Sequence, residues 1–379
     1  MAPIRPLATG ARLSAGGSRR QALASLALLP LGCVRPAHAL PAAALRFPRD
    51  AGAHPDFRTE WWYVTGYVNG PGGSAAFGFQ VTFFRSRVAA TQTLKSSLAA
   101  RQLVFAHAAI TDVQGKKLWP DQRIARWSGQ PPGENPADLA SAALTDTAVT
   151  LGNWSLQREG ADLRARVEAA DFQLDLRLTA TQPVLLQGQD GLSRKGPAPE
   201  QASYYYSLPH LQPGGSLRLR GRAIALEPGG RAWLDHEWSQ ELLHPAAVGW
   251  DWLGINLFDG SALTAFRLRD KAGDALWDGG SFRSAGQQRF VFSRGEVLFR
   301  ALRSWKSLRS QASYPVEWMV RTPADYYTVR ALVDDQELDS SASTGAIYWE
   351  GLCEVWDSNN RKVGRGYLEM TGYASPLRL

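Results

Sequence analysis

Apolar and polar residues alternate with period two along much of the chain. The pattern is clear in "FGFQVTFFR" (Phe77–Arg85), "LRARVEAADFQLDLRLTA" (Leu163–Ala180), "SLRLRGRAIAL" (Ser216–Leu226) and "SALTAFRLR" (Ser261–Arg269). Such alternation predicts half-buried antiparallel strands. Turn chemistry punctuates them at Asn69-Gly70, Gln114-Gly115, Pro228-Gly229-Gly230, Asp259-Gly260 and Asp278-Gly279-Gly280. Amphipathic helix patterns are nearly absent; "QDGLSRKG" reads as a loop. Many short strands joined by hairpin turns predict an all-β sandwich or barrel fold, and a large apolar interior favours barrels.

The 379 residues exceed what one ordinary core needs, so two domains of similar size are expected. A boundary is expected near residues 228–245, dividing residues 40–235 from residues 236–379. The first 39 residues read as an export signal: "SRRQALASLALLPLG" sets paired arginines before a short apolar run, and Ala37–Ala39 supplies the small residues of a cleavage site. Ser18-Arg19-Arg20 with Leu23 resembles a twin-arginine signal, which predicts periplasmic or secreted localisation. Cys33 after Leu31-Gly32 offers a lipoprotein alternative. The apolar run is too short for a permanent membrane span, and no transmembrane segment is expected after it.

Charge changes the picture only by its location. The formal net charge is +7, but the first 39 residues carry five arginines and no acid. The rest balances at 37 basic against 35 acidic groups, with no basic run, so nucleic acid is not an expected partner. After cleavage Cys353 stands alone and is read as a buried apolar thiol.

Fourteen tryptophans are many for this length, and several sit beside acids. "WLDHEWSQ" (Trp233–Gln240) places Asp235, His236 and Glu237 between tryptophans, and "GWDW" (Gly249–Trp252) encloses Asp251. In an extended strand Leu234, His236 and Trp238 share one face, and Trp233, Asp235 and Glu237 the other. Trp250 and Trp252 likewise oppose Asp251 and Asp259. Two readings stand side by side. A carboxylic acid among apolar groups stays protonated and donates protons, with indole faces stabilising a cation. Alternatively Asp235-His236-Glu237 form a structural charge network, Asp259 merely caps a hairpin before Gly260, and Trp61-Trp62-Tyr63 are core. Glu60, Trp62 and Tyr205 join Trp238, Trp250 and Trp252 as candidate substrate contacts. No zinc-type histidine spacing, serine-hydrolase elbow or phosphate-binding loop is present, so neither metal nor cofactor is expected.

The segments "HPDFRTEWWYVTGYV" (His54–Val68), "FGFQVTFFR", "FAHAAITD" (Phe105–Asp112), "SYYYSLP", "AWLDHEWSQ", "GWDWLGINLFDGSALTAFRLR" and "GYLEMTGY" together resemble the AttH/CrtC family, secreted proteins related to carotenoid 1,2-hydratase. The resemblance runs from about His54 to Tyr373. It implies two packed lipocalin-like β-barrels. The family's hydratases add water to an isolated carbon–carbon double bond without a cofactor. The histidine–tryptophan pair and acid implicated there carry onto His236, Trp238 and Asp259, with Asp235 and Glu237 as further candidate acids. The tyrosine expected two residues before that acid is Leu257 here. The resemblance therefore implies either a hydratase for an isoprenoid or other hydrophobic substrate, or a non-catalytic lipid carrier serving an ABC transporter.

Overall fold

The computed structural model describes residues 39–72, 75–241 and 243–377. The expected export signal, with Arg19-Arg20 and Cys33, lies outside the described residues apart from its last residue, Ala39. Among the described residues there is no α-helix, only two single 3-10 turns, Arg49–Ala51 and Ala89–Thr91. The fold is all-β, as the period-two alternation predicts.

The strands form two antiparallel sheets, one of 14 strands and one of 10. In the first, Thr59–Asn69 pairs with Ala75–Arg87 on one side and with Glu227–Glu241 on the other. The last long strand of the sheet thus returns beside its first. The strand Lys117–Trp127 at one end packs near Ala140–Ala142 and Ala148–Leu151 at the other, curling the sheet into a nearly closed barrel. The second sheet repeats the device: Gly249–Leu257 opens it and pairs with the final strand, Lys362–Met370. The chain passes between sheets after Glu241 and before Gly249. Asp235 and His236 are consecutive residues of one continuous strand, so a division after Asp235 would cut that strand.

Each sheet encloses a core. Val64, Phe79, Trp127, Trp154 and Leu234 belong to the first; Leu253, Trp318, Trp349 and Leu368 belong to the second. A third cluster joins the outer faces of the two sheets, with Tyr63 and Trp233 from one packed against Trp252, Phe266 and Leu268 from the other. Strands at this seam are buried on both faces, and the strand alternation there alternates two interiors rather than interior and water. That double burial accounts for much of the tryptophan: Trp62 and Trp238 point into the first barrel, Trp233 and Trp252 into the seam. At about 25 cal/mol per Å² and roughly 150–250 Å² buried, each such side chain contributes about 4–6 kcal/mol on removal from water.

Polar side chains also fasten the seam. Gln187 donates to Ser207 Oγ (2.8 Å) and Thr264 Oγ1 (3.2 Å) and accepts from Ser281 Oγ (2.7 Å). Asn256 accepts the His210 backbone N–H (2.7 Å) and donates to Ala232 O (3.2 Å). Cys353 is buried and unpaired.

Two expected turns are instead strand irregularities. Pro228-Gly229-Gly230 lies within Glu227–Glu241, where the register with Thr59–Asn69 shifts between Tyr67 and Asn69. Gly279-Gly280 lies within Ala275–Arg283, because a Cβ at Gly280 would meet Thr264 O at 2.1 Å. Paired glycines mark close backbone approach here, not reversal.

Candidate functional site

The strand Glu227–Glu241 builds two chambers at once. Its pairing rows on the seam side read Trp61–Glu237–Tyr205 and Tyr63–Asp235–Ser207. Facing them, the second sheet supplies Trp252, paired with Glu369, which is in turn paired with Glu350. Between these faces lies a cavity of about 90 Å³, lined by Trp61, Tyr63, Lys195, Tyr205, Asp235, Glu237, Trp250, Trp252, Phe266 and Glu369. Its rim residues Trp61, Phe84, Leu243 and Trp250 are half-buried, whereas Asp235 and Glu237 are buried.

Each acid of the cavity has a distinct setting. Asp235 accepts from Tyr205 Oη (2.7 Å), Ser207 Oγ (2.5 Å) and Trp233 Nε1 (2.6 Å). Burial nevertheless pushes its carboxyl up to about 7, the three hydrogen bonds only moderating the rise. Glu237 accepts from Ser203 Oγ and pairs with Lys195 Nζ at 3.1 Å. Lys195 also lies over the rings of Phe266 (4.2 Å) and Tyr205 (4.9 Å). Glu369 is half-buried against the cavity. Desolvation, with the negative charges of Asp235 and Glu237 behind it, pushes its carboxyl up to about 7. Glu350 is pushed well above the usual carboxylate range, first by burial and then by Glu369. Neither of its carboxylate oxygens reaches hydrogen-bonding geometry. The seam therefore holds two opposed carboxyls, Glu350 and Glu369, that cannot both ionise cheaply.

The opposite face of the same strand points into the first barrel. There His236 Nε2 meets Glu60 Oε1 at 3.0 Å, and His54 Nδ1 meets the same oxygen at 2.8 Å. Arg85 Nε donates to Glu60 Oε2 (2.8 Å), and its other nitrogens reach the carbonyls of Phe57 and His54 and the Gln102 side chain. Burial opposes ionisation of Glu60, but Arg85 and the two histidines outweigh it and hold the carboxyl well below the usual range. Burial lowers His236 to about 4, so the ring is neutral at pH 7. Its ring stacks on Trp62 (4.7 Å), and His54 stacks on Trp238 (3.8 Å). His54, Glu60 and His236 bring three metal-ligating atoms within 4.8 Å of one another. The Arg85 cation and the backbone N–H of His54 already satisfy that carboxylate, an arrangement of a structural ion-pair network.

The candidate residues thus divide by face. Asp235, Glu237, Tyr205, Trp250 and Trp252 converge on the seam cavity, while His236, Trp238, Glu60 and Trp62 converge inside the first barrel. Asp259 joins neither: it is exposed in the turn after Gly249–Leu257, its carboxylate accepting from the backbone N–H (2.8 Å) and hydroxyl (3.1 Å) of Ser261. Asp251, as its strand parity requires, faces away from the cavity and pairs with Arg267 (2.7 Å) and Arg269 (2.9 Å). Sequence reasoning missed Lys195, Glu350 and Glu369 in the seam, and His54 and Arg85 in the barrel. The available signal for both glutamates is one acid inside a short apolar segment, "IYWEGL" and "GYLEM".

Comparison with known proteins adds the lineage. The AttH-like family model matches residues 38–373. The crystal structure of an AttH candidate from Nitrosomonas europaea is 46% identical, covering 88% of this chain and 99% of its own, with a TM-score of 0.79. Kievitone hydratase from Nectria haematococca shares the fold at 15% identity and a TM-score of 0.65, covering 88% of this chain and 94% of its own. CghA does so at 13% identity and a TM-score of 0.54, covering 89% and 96%. No curated protein matches in sequence. With nearly its whole described length matched by the family model and by a 46% identical structure, the chain belongs to the AttH-like family.

Proposed function

We propose that the seam cavity catalyses cofactor-free hydration of an alkene carried on a hydrophobic, isoprenoid-type molecule. The observation that carries this reading is Glu369, a carboxyl pushed up to about 7 in a cavity walled by Trp61, Trp250 and Trp252. An acid with that value is substantially protonated at neutral pH and is matched to proton donation. Transfer of its proton to one alkene carbon leaves a carbocation on the other. The indole faces stabilise that cation by about 0.5–2 kcal/mol each. Water adds to the cation, and its surplus proton passes to the Glu237 carboxylate, which lies 3.1 Å from Lys195 Nζ. The proton returns to Glu369 through solvent, so the net change is addition of one water. The fold shared with kievitone hydratase is compatible with this chemistry.

The test is incubation of the purified protein with terminal-isoprenyl alkenes in isotopically labelled water, read by mass spectrometry. Product bearing one labelled oxygen is expected from the parent and not from Glu369→Gln, with ligand binding retained. Binding without turnover in the parent would instead favour the carrier reading, in which the same cavity holds a hydrophobic molecule for an ABC transporter. Export through the twin-arginine route is part of the proposal and is checked by fractionating cells with and without Arg19→Lys/Arg20→Lys.

A further inference from the structure

The acid cavity is too small for the molecules it is proposed to process. About 90 Å³ accommodates a branched alkene terminus, not a whole isoprenoid chain. A second, larger depression of about 310 Å³ adjoins it, and the Phe266 ring walls both. The strand Leu192–Arg194 runs along the groove, and the residue after it reaches the other compartment. Lys195 faces the acid cavity; Arg194 faces the groove. Gly279 sits against Phe266, where a Cβ would come within 3.2 Å of the ring, so the shared wall is kept thin.

The groove is cationic where the cavity is acidic. The guanidinium carbons of Arg194 and Arg294 lie 5.8 and 5.2 Å from the Trp277 ring centroid, and both side chains line the groove. One terminal nitrogen of Arg194 holds the carbonyls of Gly196, Pro197 and Ala198, which anchors the side chain beside the groove. Asp278 also lines the groove, but its carboxylate is taken up by the backbone N–H groups of Gly295 and Val297. Two guanidiniums around an indole form a seat for a planar or tetrahedral oxyanion.

We propose that this groove binds an anionic head group, so that the ligand is an amphiphile with its alkene end in the tryptophan-lined cavity and a carboxylate- or phosphate-class head on Arg194 and Arg294. The inference rests on the proposed function for the location of the tail, and it adds the ligand's second end. Phe266 marks the bend between the two compartments.

Binding, not turnover, tests it. Citronellic acid, its methyl ester and citronellyl phosphate are titrated against the parent protein by calorimetry, and against Arg294→Gln and Arg194→Gln/Arg294→Gln. Arg294 is exposed, so its variant folds normally, and circular dichroism verifies this for both. The charged ligands are expected to bind about tenfold or more tightly than the ester in the parent, the size of a charge-assisted contact. That preference is expected to collapse in the double variant while ester affinity holds. The ratio between acid and phosphate identifies the head class. Equal affinities for acid and ester, a preference that persists in the double variant, or no binding of any of the three overturns the inference. Head-group preference with no hydration in labelled water would sink the hydratase reading alone; hydration with no preference would sink this one alone.

Discussion

Replacing Asp235 by Asn tests the electrostatics of the seam directly. The carboxyl rises from an ordinary value of 3.8 to about 7 on folding, with burial as the leading cause. Between those limits the native state binds the extra proton, so stability falls as pH rises from about 4 to 7. A shift of about three units at about 1.4 kcal/mol each makes the loss about 4 kcal/mol. Asn keeps the shape: its amide oxygen faces the Ser207 and Trp233 donors, and its amide nitrogen faces the Tyr205 hydroxyl, which already accepts from Trp252 Nε1 (3.2 Å) and loses its own acceptor. The variant carries no titrating charge and is expected to be the more stable protein above about pH 7, by up to those 4 kcal/mol. It is expected to be equal or slightly less stable near pH 4. Urea unfolding followed by tryptophan fluorescence at several pH values measures this, the vertical separation of the two curves being the quantity of interest. Parallel curves for parent and Asp235→Asn across that range would refute the reasoning, because the buried carboxyl would then contribute nothing to the linkage.

Other expectations follow from the two chambers. Glu60→Gln leaves Arg85 buried without its anion and is expected to destabilise by about 3–5 kcal/mol, measured by urea midpoint. His236→Gln is expected to lower stability yet leave kcat of the folded protein within about twofold, since its ring faces away from the seam cavity; a hundredfold loss in kcat with intact folding would move the chemistry into the barrel. Hydration by the parent is expected to decline as pH rises above about 7, where Glu369 loses its proton, and a rate that climbs through that range would exclude it as the acid.

Much of this organisation is legible in the sequence, for physical reasons that also mark where legibility ends. Period two in "WLDHEWSQ" separates His236 from Asp235 and Glu237 because a strand has only two faces, and the structure keeps that separation. What alternation cannot convey is that both faces are interiors. A strand buried on one side and one buried on both differ in what surrounds them, not in their own spacing. Glu350 and Glu369 are hidden for a related reason: they meet across paired strands while standing singly in apolar segments. Lys195 falls in a Pro/Gly-rich stretch that reads as a connection, though it supplies the cavity's cation. Asp259-Gly260 keeps its turn reading, whereas Gly279-Gly280 follows a demand for close backbone packing that no local rule exposes.

The strand Glu227–Glu241 presents one face to each chamber, and this imposes a constraint of parity. Deleting one residue ahead of Asp235 would turn both acids into the aromatic barrel and send the imidazole to the seam, exchanging every tenant at once. Removing two would restore each side chain to its own side, displaced by one step. Evolution and protein engineering can therefore alter this ribbon's length in even steps far more readily than in odd ones.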